Sequence, residues 1–370
     1  MANKLKVAHV QVIPKLSGVQ QVSLDILSGL PDEKFDKYLI CGKLDSNSSI
    51  FVDRFEANNV KIIQVESLKR EISRYDIKAF WELRKIFKQM RFDIVHTNST
   101  KPGVVARIAA KISGINKVIH TVHGVSFHEH MTYSKRIFYY VIEFVSCIFG
   151  DINVLVNQNY RKYYPVFKNV VIYNGVDFSK LQVKKEKKSI INVAFMARLD
   201  EQKNPLLFIE AIKLLKLENK LDLSKVNFIL AGDGELKSQC ESLISKYNLN
   251  ENIEMVGWIE DKSKFLSSID IICQPSKWEA FGLVFVEAGF FKIPCIGSDV
   301  EGIPEVILDR NTGLIFKSND VSGLKEAMFE LIDNQTLRDR LGQNAFDIYT
   351  EKFRVEKMVS EYSALYKDGE

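Results

Sequence analysis

Two glutamates separated by seven residues are the most informative polar side chains in this sequence. Glu279 follows a predicted buried strand, Ile269–Cys273, and Gly282 is expected to open a helix over 282–291 that carries Glu287 in its second turn. The first N–H groups of a helix have no internal partner, so they can bind an anion. A carboxylate among apolar neighbours, as Glu287 is, can accept hydrogen bonds from two hydroxyls. An exposed glutamate on a helix face is the alternative.

Two cations occupy the corresponding place after another predicted strand. Arg198 and Lys203 follow the strand Ile190–Phe195 and precede a predicted helix over 204–217, whose first turn holds Pro205. Cations beside a helix N-terminus suit a diphosphate group. Taken alone, the pair is explained equally well as ordinary surface charge.

Three glycines also come directly after predicted strands. Gly232 and Gly234 follow Val226–Leu230, and Gly257 follows Ile253–Val256. Glycine at such a position permits close approach of the backbone to a ligand, but it is equally typical of a tight turn. These glycines become informative only in combination with the charged residues.

Histidine is confined to the first part of the chain, and His123 is the best functional candidate. It follows the predicted strand Val118–Val122 and precedes Gly124. His120 falls on the opposite face of that strand by the two-residue alternation, and we assign it a structural role. His128 and His130 flank a glutamate, but adjacent residues cannot all face one ion, so no metal site is predicted.

Short β-rich runs alternate with longer amphipathic stretches along the whole chain. This pattern is typical of α/β domains with a parallel, doubly wound sheet. We predict a first domain over 1–173, a charged, turn-rich linker over 174–189 and a second domain over 190–349. A last helix, at about 350–366, is expected to pack back on the first domain. Ligands of such sheets bind at the carboxyl ends of the strands, where the residues above are placed.

Composition is that of an ordinary soluble protein. Of 370 residues, 46% are hydrophobic and 26% charged, and the five cysteines are scattered without a CxxC pair. No apolar run reaches the ~20 residues that a membrane span requires, and no signal peptide is recognisable. The sequence therefore predicts a cytoplasmic protein with reduced cysteines.

The net charge of +4 conceals an asymmetry between the two halves. Residues 1–170 hold 25 Lys and Arg against 15 Asp and Glu, which leaves the remainder acidic. The stretch 69–91 interleaves cations with Phe80, Trp81 and Phe87. It is interpreted either as a peripheral contact with an anionic membrane or as an amphipathic core helix with a solvated basic face. Nucleic acid is not an expected partner.

The ordered set Arg198-x4-Lys203, Gly232-Asp-Gly234 and Glu279-x7-Glu287, with Asn-Gly-Val-Asp at 174–177, resembles the family-4 glycosyltransferases of the GT-B fold. The resemblance covers nearly the whole chain. It implies an α/β protein of two facing Rossmann-like domains with a cleft between them.

The resemblance also implies roles for individual residues. Arg198 and Lys203 would hold the donor diphosphate, Glu287 the ribose hydroxyls and Glu279 the transferred sugar. The remaining implied donor contacts are Gly18 in the loop Leu16–Val19, Gly232, Gly257, and the backbone of Phe281, Gly282 and Leu283, with His123 near the sugar. Ser17 stands where many members of the family have a second glycine.

The implied activity is retaining transfer of a hexose or N-acetylhexosamine from a nucleotide diphosphate sugar, with UDP favoured. The expected acceptor is a hydroxyl of a glycan, lipid-diphosphate-linked, in bacterial O-antigen, capsule or exopolysaccharide synthesis at the inner face of the membrane. Neither a metal nor another cofactor is expected. A non-catalytic nucleotide-sugar-binding subunit and another GT-B enzyme, such as an epimerase, stay as alternatives. A dinucleotide dehydrogenase is disfavoured because Gly-x-Gly-x-x-Gly is absent after the first strand.

Overall fold

The computed structural model describes residues 4–46, 48–70, 74–183 and 190–368. The chain forms two compact units, Met1–Gly175 with Val355–Glu370, and Val176–Arg354. Each unit contains a parallel sheet with helices between its strands. The predicted α/β class with two parallel-sheet domains is confirmed.

The first unit is built on a seven-stranded sheet in the order β3-β2-β1-β4-β5-β6-β7. Its central strands are mostly buried because helices cover both faces, as in other parallel sheets, and they carry buried polar residues such as His9 and His96 among the apolar ones. The strands are β1 Leu5–Val10, β2 Phe35–Cys41, β3 Val60–Gln64, β4 Ile94–Asn98, β5 Lys117–Val122, β6 Ile152–Leu155 and β7 Asn169–Val171. The helices between them are α1 Gly18–Gly29, α2 Ser49–Glu56, α3 Tyr75–Met90, α4 Thr100–Ile112 and α5 Tyr133–Cys147.

The second unit has a six-stranded parallel sheet in the order β10-β9-β8-β11-β12-β13. Its core includes the ring of Phe208, which contacts the rings of both Phe195 and Phe228. The strands are β8 Ile191–Met196, β9 Val226–Ala231, β10 Ile253–Gly257, β11 Ile271–Gln274, β12 Cys295–Ser298 and β13 Gly313–Phe316. The helices are α6 Pro205–Glu218, α7 Lys237–Lys246, α8 Lys262–Ser267, α9 Leu283–Phe290, α10 Ile303–Val306, α11 Val321–Asp333 and α12 Gln335–Lys352.

The last helix, α13 Val355–Lys367, belongs to the first unit and packs against α1. The chain enters and leaves the second unit at adjacent points, where the Val176 N–H donates to the Phe353 carbonyl at 2.8 Å. Just after this point, Phe178 stacks on Phe290 with ring centroids 4.8 Å apart. The first part of the predicted linker thus packs on the second unit, and residues 184–189 lie outside the described residues.

A buried polar network fixes α13 to the sheet of the first unit. Tyr366 Oη lies 2.8 Å from His9 Nε2 and 2.5 Å from His96 Nδ1. On the other side of the second imidazole, His96 Nε2 contacts Thr121 Oγ1 at 2.7 Å, and Tyr362 Oη lies 3.0 Å from that hydroxyl. Burial lowers the pKa of His9 to about 3 and the pKa of His96 well below its usual value. Both imidazoles are therefore neutral and act as hydrogen-bonding groups between strand and helix.

Within the described ranges, no helix is long and apolar enough to cross a membrane.

Candidate active site

The strand order of the second unit places the predicted residues at one point. Strands β8 and β11 are neighbours at the centre of the sheet. From β8 the strand order continues through β9 to β10 on one side, and from β11 through β12 to β13 on the other, so the order reverses between β8 and β11. At such a switch point the loops leaving the two central strands diverge and form a crevice that binds ligands. Arg198 and Lys203 follow β8, whereas Glu279, Gly282 and Glu287 follow β11. The two predicted motifs therefore meet at this edge of the sheet.

The closest of these contacts is an ion pair between Lys203 and Glu279. The Lys203 ammonium donates to Oε2 of Glu279, and the Gln274 amide donates to the same oxygen at 3.2 Å. Both charged side chains are mostly buried, so the carboxylate is held in a defined orientation rather than solvated. Two residues that lie 76 positions apart in sequence are direct neighbours.

Asp200 organises the loop that carries the two cations. Its Oδ1 accepts from the backbone N–H of Lys203 at 3.0 Å, and its Oδ2 lies 3.0 Å from Nη2 of Arg198. The Arg198 guanidinium is largely exposed, and Gln202 lies 3.4 Å from it. The guanidinium is thus oriented by its own loop and accessible to an anion.

The N-terminus of α9 supplies a second feature for anion binding. Gly282 is its N-cap with φ of +84°, and a Cβ there would lie 2.6 Å from the Phe285 ring. Glycine is required at this position on both counts. Leu283 begins the helix, and its first N–H groups have no partner within it. Phe281 is buried with its ring edge-to-face on Phe353, so only its backbone is available to a ligand.

Glu287 lies one helical turn further along α9 and is paired with a lysine. Its Oε1 is 2.6 Å from Nζ of Lys262, which lies at the start of α8. The glutamate is largely buried, and the lysine is about half exposed. The carboxylate is therefore held in place by the lysine and remains partly accessible.

The glycines after β9 are explained by contacts within the protein rather than by close approach of a ligand. Gly232 has φ of +145°, and a Cβ there would lie 1.8 Å from the Ala197 carbonyl oxygen; at Gly234 it would lie 2.4 Å from that of Leu199. The loop after β9 packs closely against the loop after β8, and this packing explains why both residues are glycine. Helix α7 begins at Lys237, whose N–H donates to the Gly234 carbonyl at 3.1 Å.

Gly257 ends β10 and adjoins the same loops. Its carbonyl accepts from the Gly232 N–H at 2.7 Å. Its φ is +71°, and a Cβ would meet nothing within 4 Å. Space therefore remains open beside Gly257, whereas the Gly232 position is filled by the protein.

In the first unit, the two predicted residues each lie at the carboxyl edge of the sheet. Gly18 is exposed and begins α1, directly after Ser17. His123 follows β5, and its Nε2 lies 3.0 Å from Oδ1 of Asn98, the last residue of β4. Because an amide oxygen only accepts hydrogen bonds, Nε2 carries the proton and Nδ1 remains an acceptor. Burial lowers the pKa of His123 to about 4, which keeps the ring neutral.

His120, by contrast, is fully buried and contacts Thr97 Oγ1 at 2.9 Å. Its position agrees with the structural role assigned to it. Among the described residues, no group of three His, Cys, Asp or Glu side chains is arranged to hold a metal ion.

Four residues that the sequence did not single out contribute to these arrangements: Asn98, Asp200, Lys262 and Gln274. Asp200 lies in the same loop as Arg198 and Lys203, and Gln274 ends the strand that precedes Glu279, so their closeness in sequence to the motif residues is a usable signal. Asn98 and Lys262 come from other strand–helix connections, and only the fold shows that they contact His123 and Glu287.

Two family descriptions match the chain and together span most of it. "Glycosyltransferase Family 4" matches residues 16–180, and "Glycosyl transferases group 1" matches residues 177–347. The boundary between the two matches falls close to the division between the structural units.

Individual proteins agree with this assignment. The UDP-Gal:alpha-D-GlcNAc-diphosphoundecaprenol alpha-1,3-galactosyltransferase of Escherichia coli is 32% identical, over 99% of this chain and 97% of its own length. The O-antigen biosynthesis glycosyltransferase WclY of Escherichia coli is 26% identical over 98% of both chains. Among solved structures, HepE from Anabaena in complex with UDP and glucose superimposes with a TM-score of 0.82 at 16% identity, covering 98% and 100% of the two chains. The chain therefore belongs to glycosyltransferase family 4 and is a glycosyltransferase of the GT-B fold.

Proposed function

We propose that this enzyme transfers a hexose or N-acetylhexosamine from a UDP-sugar to a hydroxyl of a lipid-diphosphate-linked glycan, with retention of anomeric configuration, in bacterial surface-polysaccharide synthesis. UDP-galactose is the first donor to test, because the 32%-identical relative is named for that donor and for a diphosphoundecaprenol acceptor. The observation that carries the proposal is the Lys203–Glu279 pair beside the N-terminus of α9 at the switch point of the second unit.

Charge development on the leaving group explains the cations of this site. As the bond from the sugar to the diphosphate breaks, negative charge grows on the phosphate oxygens, and preorganised donors stabilise it. The Arg198 guanidinium, the Lys203 ammonium and the first N–H groups of α9 are the donors available here. In the proposal they perform this role without a divalent metal.

The two glutamates have separate roles in this proposal. Glu287, held in place by Lys262, accepts hydrogen bonds from the two ribose hydroxyls of the nucleotide. Glu279, fixed by Lys203 and Gln274, accepts from hydroxyls of the transferred sugar. The acceptor hydroxyl then attacks on the face that the diphosphate leaves, and its proton passes to a phosphate oxygen. The roles that the family resemblance implies for Gly18 and His123 stay predictions.

The experiment measures transfer to a synthetic N-acetylglucosamine-diphosphate-lipid. UDP-galactose, UDP-glucose, UDP-N-acetylglucosamine and UDP-N-acetylgalactosamine are supplied separately, and products are identified by mass. The anomeric configuration of the product follows from its proton NMR coupling. A product of inverted configuration would contradict the retaining mechanism, and neither transfer nor hydrolysis with any UDP-sugar would contradict the donor class.

Two variants in adjacent loops test the site itself. Glu279→Gln preserves shape but removes the charge that pairs with Lys203, so we expect at least a tenfold loss of kcat, equivalent to about 1.4 kcal/mol. Glu201→Gln removes a carboxylate that pairs with Lys277 at the surface, 3.2 Å away, and should leave kcat within about twofold. Equal effects of the two substitutions would refute the assignment of Glu279.

A further inference from the structure

Helix α5 has an apolar face that none of the other described residues covers. Six large apolar side chains on it or at its end are at least 45% exposed: Tyr133 at 78%, Ile137 at 45%, Phe138 at 57%, Val141 at 51%, Val145 at 45% and Ile148 at 63%. Single exposed apolar residues are normal on a protein surface, but a contiguous set on one helix marks an interaction site. We call this set the α5 apolar face.

The helix is anchored from its opposite side. Glu143, Ser146 and Cys147 are its buried residues, and the Glu143 carboxylate lies 3.4 Å from the buried guanidinium of Arg107 on α4. At 3.6 residues per turn, the six exposed side chains fall within an arc of about 140°, and no charged residue of α5 falls in that arc. At 1.5 Å per residue, this face extends for about 22 Å along the domain surface.

The surroundings of the α5 apolar face are cationic. Residues 131–170 contain five Lys and Arg, and only two acidic residues. Both acids are already neutralised, since Glu143 pairs with Arg107 and Asp151 with Lys111 at 2.5 Å. The five cations are Lys135, Arg136, Arg161, Lys162 and Lys168, and all but Arg136 are exposed.

We propose that the α5 apolar face is the surface with which this enzyme contacts an anionic lipid bilayer. Apolar side chains on one side of a helix, with Lys and Arg beside them, enter the boundary between headgroups and acyl chains, and the cations meet the anionic headgroups. This inference rests on the proposed function, because a membrane contact would bring the enzyme to its lipid-linked acceptor. Its test does not require that acceptor.

Charge favours a lipid surface over a second copy of the chain. In a two-fold dimer the same surface lies on both sides of the interface, so the two sets of cations would approach each other. Glu143 and Asp151 are already paired, and the exposed Glu129 just before the helix is a single acid against five cations, so such like charges oppose association. A bilayer with anionic headgroups supplies the complementary charge instead.

Helix α3, within the stretch 69–91 singled out by sequence, is a weaker candidate. Its exposed apolar residues within the described part of that stretch are Tyr75, Ile77 and Trp81, and residues 71–73 lie outside the described residues. Of its other large apolar side chains, Leu83 and Phe87 are buried in the domain core, and Phe80, Ile86 and Met90 pack partly buried against it. The arrangement is mainly that of an amphipathic core helix, and it provides a matched control.

The experiment is flotation of the full chain with vesicles of phosphatidylcholine, alone or mixed with phosphatidylglycerol. We expect the wild type to bind the anionic vesicles, to bind neutral ones weakly, and to lose binding in high salt. Ile137→Ser combined with Val141→Ser should reduce the bound fraction at least tenfold, and Arg161→Ser with Lys162→Ser should reduce it mainly in the salt-dependent part. The α3 control, Ile77→Ser with Trp81→Ser, should stay within about threefold of the wild type.

Folding and oligomeric state are measured on the same preparations. Melting temperature and UDP-sugar hydrolysis should be unchanged in the α5 variant; if the double variant does not fold, Tyr133→Ser alone replaces it. Absence of vesicle binding by the wild type, or greater loss with the α3 control than with the α5 variant, would overturn the proposal. So would a dimer by light scattering that the α5 variant converts to monomer. Hydrolysis without vesicle binding would refute only this inference and leave the proposed function intact.

Discussion

Lowering the pH from 7 to 5 should destabilise the first unit of this protein far more than the second. All six histidines lie between residues 9 and 130, and His9, His96 and His120 are fully buried. Burial lowers the pKa of each of the three, for His9 to about 3. In the unfolded chain they titrate at an ordinary pKa of about 6.5, so below that pH the unfolded state binds protons that the native state rejects.

The size of the effect follows from the lowered pKa of His9. Its stabilising contribution is complete above pH 6.5 and is lost as the pH falls toward 3. Between pH 7 and pH 5 the loss from this residue is about 2 kcal/mol, and His96 and His120 add losses of the same sign. For a unit of this size, about 2 kcal/mol corresponds to a fall of roughly 4–8 °C in melting temperature. The second unit has no histidine and should shift much less.

Calorimetry at the two pH values, with hydrogen exchange measured by mass spectrometry, would assign each transition to its peptides. Peptides of the first unit should lose protection at a lower temperature at pH 5, while those of residues 190–354 change little. His130→Gln replaces an exposed histidine and should leave the pH dependence unchanged. Parallel shifts of the two units, or a first unit insensitive to pH, would refute the assignment of neutral buried imidazoles.

Three further outcomes are expected. Glu287→Ala should weaken UDP binding at least tenfold in titration calorimetry, because charge-assisted hydrogen bonds of about 1.5–3 kcal/mol each are lost, and unchanged affinity would exclude the ribose role. Gly232→Ala should lower the free energy of unfolding by at least about 3 kcal/mol, because its Cβ would overlap the Ala197 carbonyl. Gly257→Ala, whose Cβ would enter open space, should lower it by only about 1 kcal/mol. Urea titration compares the two variants, and a larger loss for Gly257→Ala would contradict the packing described. Transfer activity should persist in EDTA, and a loss that Mg²⁺ or Mn²⁺ restores would overturn the metal-free proposal.

The sequence predicted the strands that are mostly buried, because these are short runs rich in apolar and β-branched residues. Strands β1, β4 and β9 belong to this class. It did not predict α10, with four residues, or β7, with three, since neither is long enough to show a periodicity. The last helix was predicted over 350–366, but α12 continues to Lys352 and the break follows at Phe353, where the chain pairs with Val176. That break is set by a tertiary contact, which no local pattern contains.

The candidate site was predictable in its residue types but not in its contacts. Motif spacing identified Arg198, Lys203, Glu279 and Glu287, because each follows the end of a predicted strand. Their proximity depends on β8 lying beside β11, although β9 and β10 intervene in sequence. The actual reason for Gly232 likewise depends on a carbonyl 35 residues earlier in the chain. Strand order and loop packing are properties of the folded sheet, so the sequence could suggest these relations only through resemblance.

The placement of α13 in the first unit has a consequence for the order in which the protein is made. A ribosome synthesises every residue of the second unit, Val176–Arg354, before it reaches α13. The second unit is continuous in sequence, whereas the first receives its last helix only after the whole second unit has been synthesised. Until Tyr362 and Tyr366 have been added, His9, His96 and Thr121 have no phenolic partners from α13. During translation the sheet of the amino-terminal unit therefore precedes its last helix by the full length of the carboxyl-terminal unit.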